Sequence, residues 1–156
     1  MPTFLNGRTM YIWADGQYRG TAVVSAGSLA LGGTYTNSCA GLYYRARYKS
    51  AKLAFAAGMG TALLQTKNVG PLGLLLYNTH RNGIKYGRDF DNLDDLPEVV
   101  DGATVAANYL WNSYDEKAFP MRGNWDTDAR LCLQAEAQRP CTVVAAVLTV
   151  ETHDRS

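Results

Sequence analysis

The sequence predicts an all-β protein: an antiparallel β-sandwich or jelly-roll-like single domain with at most one short helix. Three observations carry that reading. Asp15-Gly16 lies between β-favouring residues, and such a pair specifies a two-residue hairpin because both turn positions need positive φ. Residues 130 to 137 alternate with period two, the signature of a strand with one wet face. Strand-like segments also recur about every ten residues between turn signals, the spacing of a sandwich or barrel.

In chain order, Tyr11–Ala14 and Gln17–Arg19 flank the first turn. Thr21–Val24, Leu42–Lys49, Lys52–Ala57 and Thr61–Thr66 read as further short strands, with glycines at 27, 32, 33, 41, 58, 60, 70 and 73 as punctuation. Asn82-Gly83 repeats the hairpin device between Leu74–Arg81 and Ile84–Phe90. A short helical turn fits Leu93–Val100. Thr104–Trp111, after Asp101-Gly102, is the main helix candidate, though its β-branched and aromatic residues suit a strand nearly as well. Leu131, Leu133, Ala135 and Ala137 then share one face, with Arg130, Gln134 and Glu136 opposite and Cys132 among them. Thr142–Val150 is apolar on both faces, as in a central strand covered on both sides or a strand in a subunit contact. The last two segments read together as a third hairpin.

Length and composition bound the function. The 156 residues make one domain, 1–156, with 1–10 and 151–156 as possible interaction arms. A domain this size buries roughly 70% of its unfolded surface, so it needs no disulfide or metal for a core. Hydrophobic residues at 47% and charged residues at 19% exclude a disordered chain. Fifteen Lys+Arg against fourteen Asp+Glu give a net charge of +1, which speaks against a dedicated nucleic-acid binder. Glycine is abundant at 15, and ten tyrosines stand beside four phenylalanines, a balance favouring β-structure, turns and contact surfaces. No apolar run approaches the roughly 18 residues of a membrane helix, and the first residues lack the pattern of a secretory signal. Three cysteines, Cys39, Cys132 and Cys141, have no paired spacing and read as small buried thiols kept reduced in a cytosol. A Cys132–Cys141 bridge is the alternative.

Catalytic chemistry finds little to build on. The acidic stretch 88–98 offers Asp89, Asp91, Asn92, Asp94, Asp95 and Glu98 as hard oxygen ligands, but it fails the EF-hand template at Leu93. Turn and cap duty is the simpler reading there, as for Asp126 and Asp128. A glycosidase pair would draw on Asp91 with Asp126 or Glu116, with Trp125 or Trp111 as a sugar platform, yet nothing in the sequence brings these together. His80, beside the Asn82-Gly83 turn, reads as an exposed polar strand residue, and His153 sits near the C-terminus. Neither belongs to a nucleophile motif, and no zinc spacing or phosphate loop is present. No enzyme activity, cofactor or metal is expected.

Contact surfaces are better marked. In Tyr43–Lys52, strand periodicity puts Tyr43, Arg45, Arg47 and Lys49 on one face and Tyr44 and Tyr48 on the other. Such a strand can be a solvated edge whose cations block unwanted pairing, a grip on the acidic loop 89–98 of another copy, or a single-strand nucleic-acid surface.

Ala14-Asp-Gly16, Arg81-Asn-Gly-Ile84, the loop Gly87–Pro97 and the segment Arg130–Val150, with the Gly/Tyr-rich neutral composition, carry a resemblance. In this character the chain resembles the small β-sandwich structural proteins of tailed bacteriophage particles, the decoration, connector and tail-accessory subunits. The resemblance implies a non-catalytic structural protein, made in the host cytoplasm and resident in the virion. Its partners would be copies of itself and other virion proteins. Interface anchors would be Trp13, Tyr18, Tyr43, Arg45, Arg47, Tyr48, Lys49, Tyr77, Trp111 and Trp125. The Trp/Tyr/Asp mix at 109–128 supports a second class, a carbohydrate- or receptor-binding sandwich, and a small hydrolase is a third.

Overall fold

The computed structural model describes residues 3–54, 63–100, 102–112, 118–122, 124–136 and 138–152. Among these the chain is all-β, with one 3-10 turn at Thr3–Leu5 and antiparallel pairing throughout.

The N-terminal sheet has the order β2-β1-β3, from β1 (Thr9–Ala14), β2 (Gln17–Val23) and β3 (Ser38–Leu42). Asp15 and Gly16 join the first two strands at φ 46° and 73°, both left-handed, as the Asp-Gly pair predicts. The Asp15 carboxylate also accepts the Asn37 and Thr36 amides at 2.8 and 3.2 Å, which ties the β2–β3 connection to the turn.

Two larger sheets face each other. One has the order β4-β13-β7-β8, from β4 (Arg45–Lys49), β7 (Ile84–Gly87), β8 (Leu93–Asp95) and β13 (Cys132–Glu136). The other has the order β12-β5-β14, from β5 (Lys67–Leu76), β12 (Ala118–Phe119) and β14 (Val143–Thr152). Leu72, Leu74 and Leu76 of β5 meet Ile84, Tyr86, Leu131 and Leu133 in one core. Tyr86 and Phe119 link the layers with ring centroids 5.6 Å apart. Each fully buried leucine in this core contributes about 2 kcal/mol. Two short pairs flank it: β6 (Thr79–His80) with β11 (Leu110–Trp111), and β9 (Val99–Val100) with β10 (Ala103–Thr104).

β5 spans residues that read from sequence as a broken stretch, because Gly70, Pro71 and Gly73 look like punctuation. Its ladder to β14 is irregular where Val69 pairs with Val150 and Leu72 with Leu148, so Pro71 need not donate a ladder hydrogen bond. Gly73 stands opposite Val147, leaving that valine without a cross-strand side chain.

Several expectations are corrected. Asn82-Gly83 is a tight turn, with the Gly83 amide 2.7 Å from the His80 carbonyl, but it joins no hairpin. β6 pairs with β11 and β7 with β13, so the chain crosses here from one layer to the other. The third hairpin fails in the same way, since β13 pairs with β4 and β7 and β14 pairs with β5. The two crossings are laced side by side: His80 donates to the Pro140 carbonyl at 2.9 Å and Tyr77 to the Thr142 carbonyl at 3.1 Å. Thr104–Trp111 is not a helix. Its ends pair in β10 and β11, and the carbonyls of Ala107 and Tyr109 serve His80 and Arg81 instead of a helical ladder. Leu93–Val100 likewise forms β8 and β9 in place of a helical turn. The face of β13 expected to be wet is covered, with Cys132 and Gln134 at 0% and 6% exposure. Among the described residues β14 is an edge strand, not a central one.

Residues 55–57 of the expected strand Lys52–Ala57 and 61–62 of Thr61–Thr66 lie outside the described residues, and 52–54 and 63–66 are not strands. Residues 6–10 are no loose arm. The Gly7 amide donates to Val24 at 2.9 Å, and Asn6 accepts the Gly27 amide at 2.8 Å. Of the C-terminal arm, Glu151 and Thr152 end β14 and 153–156 lie outside the described residues.

Candidate functional site

The register of the four-stranded sheet sorts β4 into two faces. Ala46 pairs with Ala135 and through it with Ile84, while Tyr48 pairs with Leu133 and through it with Tyr86. Opposed residues share a face, so Ala46 and Tyr48 lie on the core face. Yet Tyr48 is 57% exposed and every residue of β4 is exposed. The four-stranded layer therefore overhangs the three-stranded one, and the core face of β4 is bare.

The outward face is held by its own sheet. Arg45 bonds Glu136 at 3.2 Å and the Tyr43 hydroxyl at 3.1 Å. Arg47 donates to Gln134 at 2.6 Å and stacks over Phe90 at 4.6 Å. These partners explain why a polar Gln134 is tolerated at a covered position.

β14 mirrors this bareness across the layer gap. Ala146 and Leu148 share the core face with Leu74 and Leu72, but Ala146 is exposed. Val144 at 60% and Val147 at 70% are among the most exposed large apolar side chains. Between the two edges runs a cleft of about 400 Å³, lined by Ala46, Tyr48, Ile84, Leu133 and Ala135 on one side and Val143–Ala146 on the other, with Arg47 at its rim. Sequence reasoning found Arg47 and Tyr48 but missed the small residues. The available signal was the apolarity of Thr142–Val150 on both faces, which suited a subunit contact as well as a covered strand.

The other predicted anchors do not form one patch. Trp13 is half-buried, edge-on to His80 at 4.9 Å. Tyr18 is half-buried between Tyr11, at 6.2 Å, and Arg139, at 4.9 Å. Trp111 is not an exposed anchor: it is 3% exposed within the core and edge-on to Tyr109 at 5.0 Å. Tyr77 and Trp125 are exposed but belong to opposite ends of β5, Trp125 beside the Asp126–Lys67 bridge and Tyr77 just past Leu76. Tyr43, Arg45, Arg47, Tyr48 and Lys49 stay together on and before β4.

The acidic loop is engaged within the chain. Asp89 accepts the Asp91 and Asn92 amides at 2.9 and 2.8 Å. Burial opposes its ionisation, but these bonds and those from Asn92 and Arg88 outweigh it and hold the carboxyl below its ordinary range. Asp94, Asp95 and Glu98 pair with Arg122, Lys85 and Arg81 at 3.3, 3.0 and 3.3 Å. Asp91 is exposed in the capped turn, Asp126 is bridged to Lys67, and Glu116 lies outside the described residues. Lys67 is fully buried and donates to the Gln65 carbonyl at 2.9 Å. A small polar cleft of about 120 Å³ near Asp126, Asp128 and Arg122 carries charges of both signs.

His80 is buried at 3% exposure, correcting its reading as a wet strand residue. It is held between the Ala107 carbonyl and the Asn82 amide at 3.0 and 3.1 Å. His153 lies outside the described residues. All three cysteines are free: Cys132 is buried, Cys141 half-buried and Cys39 exposed, the last against expectation because it sits on the edge strand β3.

The fold and the cleft define an open-edged, two-layer β-sandwich. No protein-family model matches the chain, and no curated protein matches it.

Proposed function

We propose that the chain is a non-catalytic structural protein of a tailed-bacteriophage particle, assembling through its β-rich faces with its own copies and other virion proteins. The observation that carries this reading is the exposed apolar edge β14 beside the open cleft. A long hydrophobic edge is an aggregation hazard unless something covers it, and an assembly subunit is covered by its neighbours. The Tyr43–Lys49 cluster on the neighbouring edge supplies the aromatic and arginine character of contact surfaces. On this reading the protein is made in the host cytoplasm and ends in the virion. Mass spectrometry of purified, nuclease-treated particles is the test. A fixed copy number per particle is expected, and absence from washed particles sinks the reading.

A carbohydrate- or receptor-binding module is the second reading, resting on Trp125, 48% exposed beside the polar cleft at Asn124, Asp126 and Asp128. A glycan screen in which Trp125→Ala abolishes binding would favour it.

A further inference from the structure

We infer that the cleft closes on a second copy of the chain, each copy's β4 pairing edge to edge with the other's β14. This rests on the assembly reading above and names the partner of that site.

The first argument is shape. Among the described residues one layer has four strands and the other three, and the bare core face of β4 marks where the wider layer overhangs. A twofold axis lying between the layers and running along the strands exchanges the two layers of the second copy. It sets the overhanging β4 of each copy into the recess beside β14 of the other. The four- and three-stranded layers then join into two continuous sheets. Ala46 and Tyr48 of one copy cover the same residues of its mate, and the cleft disappears. The interface is isologous, as in most soluble dimers.

Edge lengths agree. Register breaks after Val143 and after Leu148 leave Ala145–Leu148 as the longest regular run of β14. β4 runs unbroken through Arg45–Lys49, so a short ladder forms without a bulge. Charge disfavours a β4–β4 seam, and the shape of the overhang disfavours a β14–β14 one, which would leave both β4 strands bare. β4 carries Arg45, Arg47 and Lys49, whereas Glu151 is the one charged residue of β14. A β4–β4 seam would oppose cations on cations, and a mixed seam sets an uncharged edge against the basic one. The acidic loop of a neighbour is the weaker partner, since Asp89, Asp94, Asp95 and Glu98 are already paired within their own chain. A ladder of about four residues spans roughly 14 Å, so the seam belongs to the small, weaker class of specific interfaces. Association is expected at micromolar concentration, strengthened where particle assembly concentrates the copies.

Sedimentation equilibrium between about 1 and 500 μM tests the pairing, alongside hydrogen exchange at matched concentrations. The expected result is a mass that doubles with concentration, with new amide protection confined to Arg45–Lys49 and Ala145–Leu148. Ala46→Arg and Val144→Arg replace exposed side chains, so each folds with an unchanged melting temperature in dilute solution. Each is expected to weaken the dimer about tenfold or more by burying an unpaired charge in the seam. A monomer throughout the range, a dimer indifferent to both variants, or protection elsewhere overturns the pairing. A monomer still found in particles overturns the pairing alone and assigns the cleft to another virion protein. A dimer absent from particles overturns the assembly reading instead.

Discussion

Trp13 meets His80 edge to face, ring centroids 4.9 Å apart and planes at 88°, so one indole on β1 presses against the segment where the chain crosses between the two large sheets. The imidazole is fixed on both sides. Its Nδ1 accepts the Asn82 amide, which leaves Nε2 to donate to the Ala107 carbonyl.

That arrangement makes stability depend on pH. Burial pushes the His80 pKa below its ordinary 6.5. The Ala107 carbonyl opposes that shift, and the Arg139 and Arg81 charges add to it. The unfolded chain therefore takes up its proton first as pH falls, and protonation favours unfolding. Stability from the neutral ring is complete above about pH 6.5 and is lost as pH drops through the depressed folded-state value. Urea midpoints at pH 7.5 and 5.0 should differ for the wild type and converge for His80→Gln. An undiminished difference in the variant would assign the effect to other groups.

Two tryptophans should respond to very different degrees. Trp111→Ala empties a core site and should cost about 3–5 kcal/mol. Trp125→Ala alters a side chain 48% exposed and should cost clearly less, about 1 kcal/mol. Chemical denaturation of both checks the contrast.

Glycine positions separate strain from crowding. At Gly16, φ is +73° and a Cβ meets nothing within 4 Å, so Gly16→Ala costs only left-handed strain, about 1 kcal/mol. At Gly83 a Cβ would lie 2.7 Å from the Pro140 carbonyl and 3.0 Å from that of His80. Gly83→Ala must push two crossing segments apart and should cost about 1–3 kcal/mol. Thermal melts in which Gly16→Ala is the worse of the two would contradict this.

Thiol chemistry should follow burial. Cys39 is exposed, whereas burial pushes the Cys132 and Cys141 thiols up from their ordinary range. In native protein Cys39 should react first with a chromogenic disulfide reagent, half-buried Cys141 more slowly, and buried Cys132 only on unfolding. Equal rates at all three sites would refute the assignment.

The sequence made local turns legible and long-range partners illegible. Asp15-Gly16 specified its hairpin because turn and ladder lie within the single segment Thr9–Val23 and both turn positions demand φ > 0. Asn82-Gly83 and Arg139-Pro140 also reverse the chain, but their flanking strands join different sheets. Turn residues fix only the direction change, and the partner is chosen by burial elsewhere. For the cleft, periodicity placed Tyr48 opposite Arg47 correctly. It put Ala135 on an apolar face but could not make Ala135 or Ala146 neighbours of β4, which depends on sheet order. His80 was misjudged because its covering residues, Trp13 and Ala107, are distant in sequence.

The pairing of Lys49 with Cys132 and of Lys67 with Thr152 has a temporal side. Each closes a loop of about 80 residues, so on the ribosome β4 and β5 emerge long before their partners. The β1–β2 hairpin can form early, but both large layers wait for the last stretch of chain. Closing such loops makes folding slow, in the millisecond-to-second range. During that interval the leucine-rich face of β5 lacks its β14 partner, and such transiently exposed apolar surface is where aggregation competes with folding.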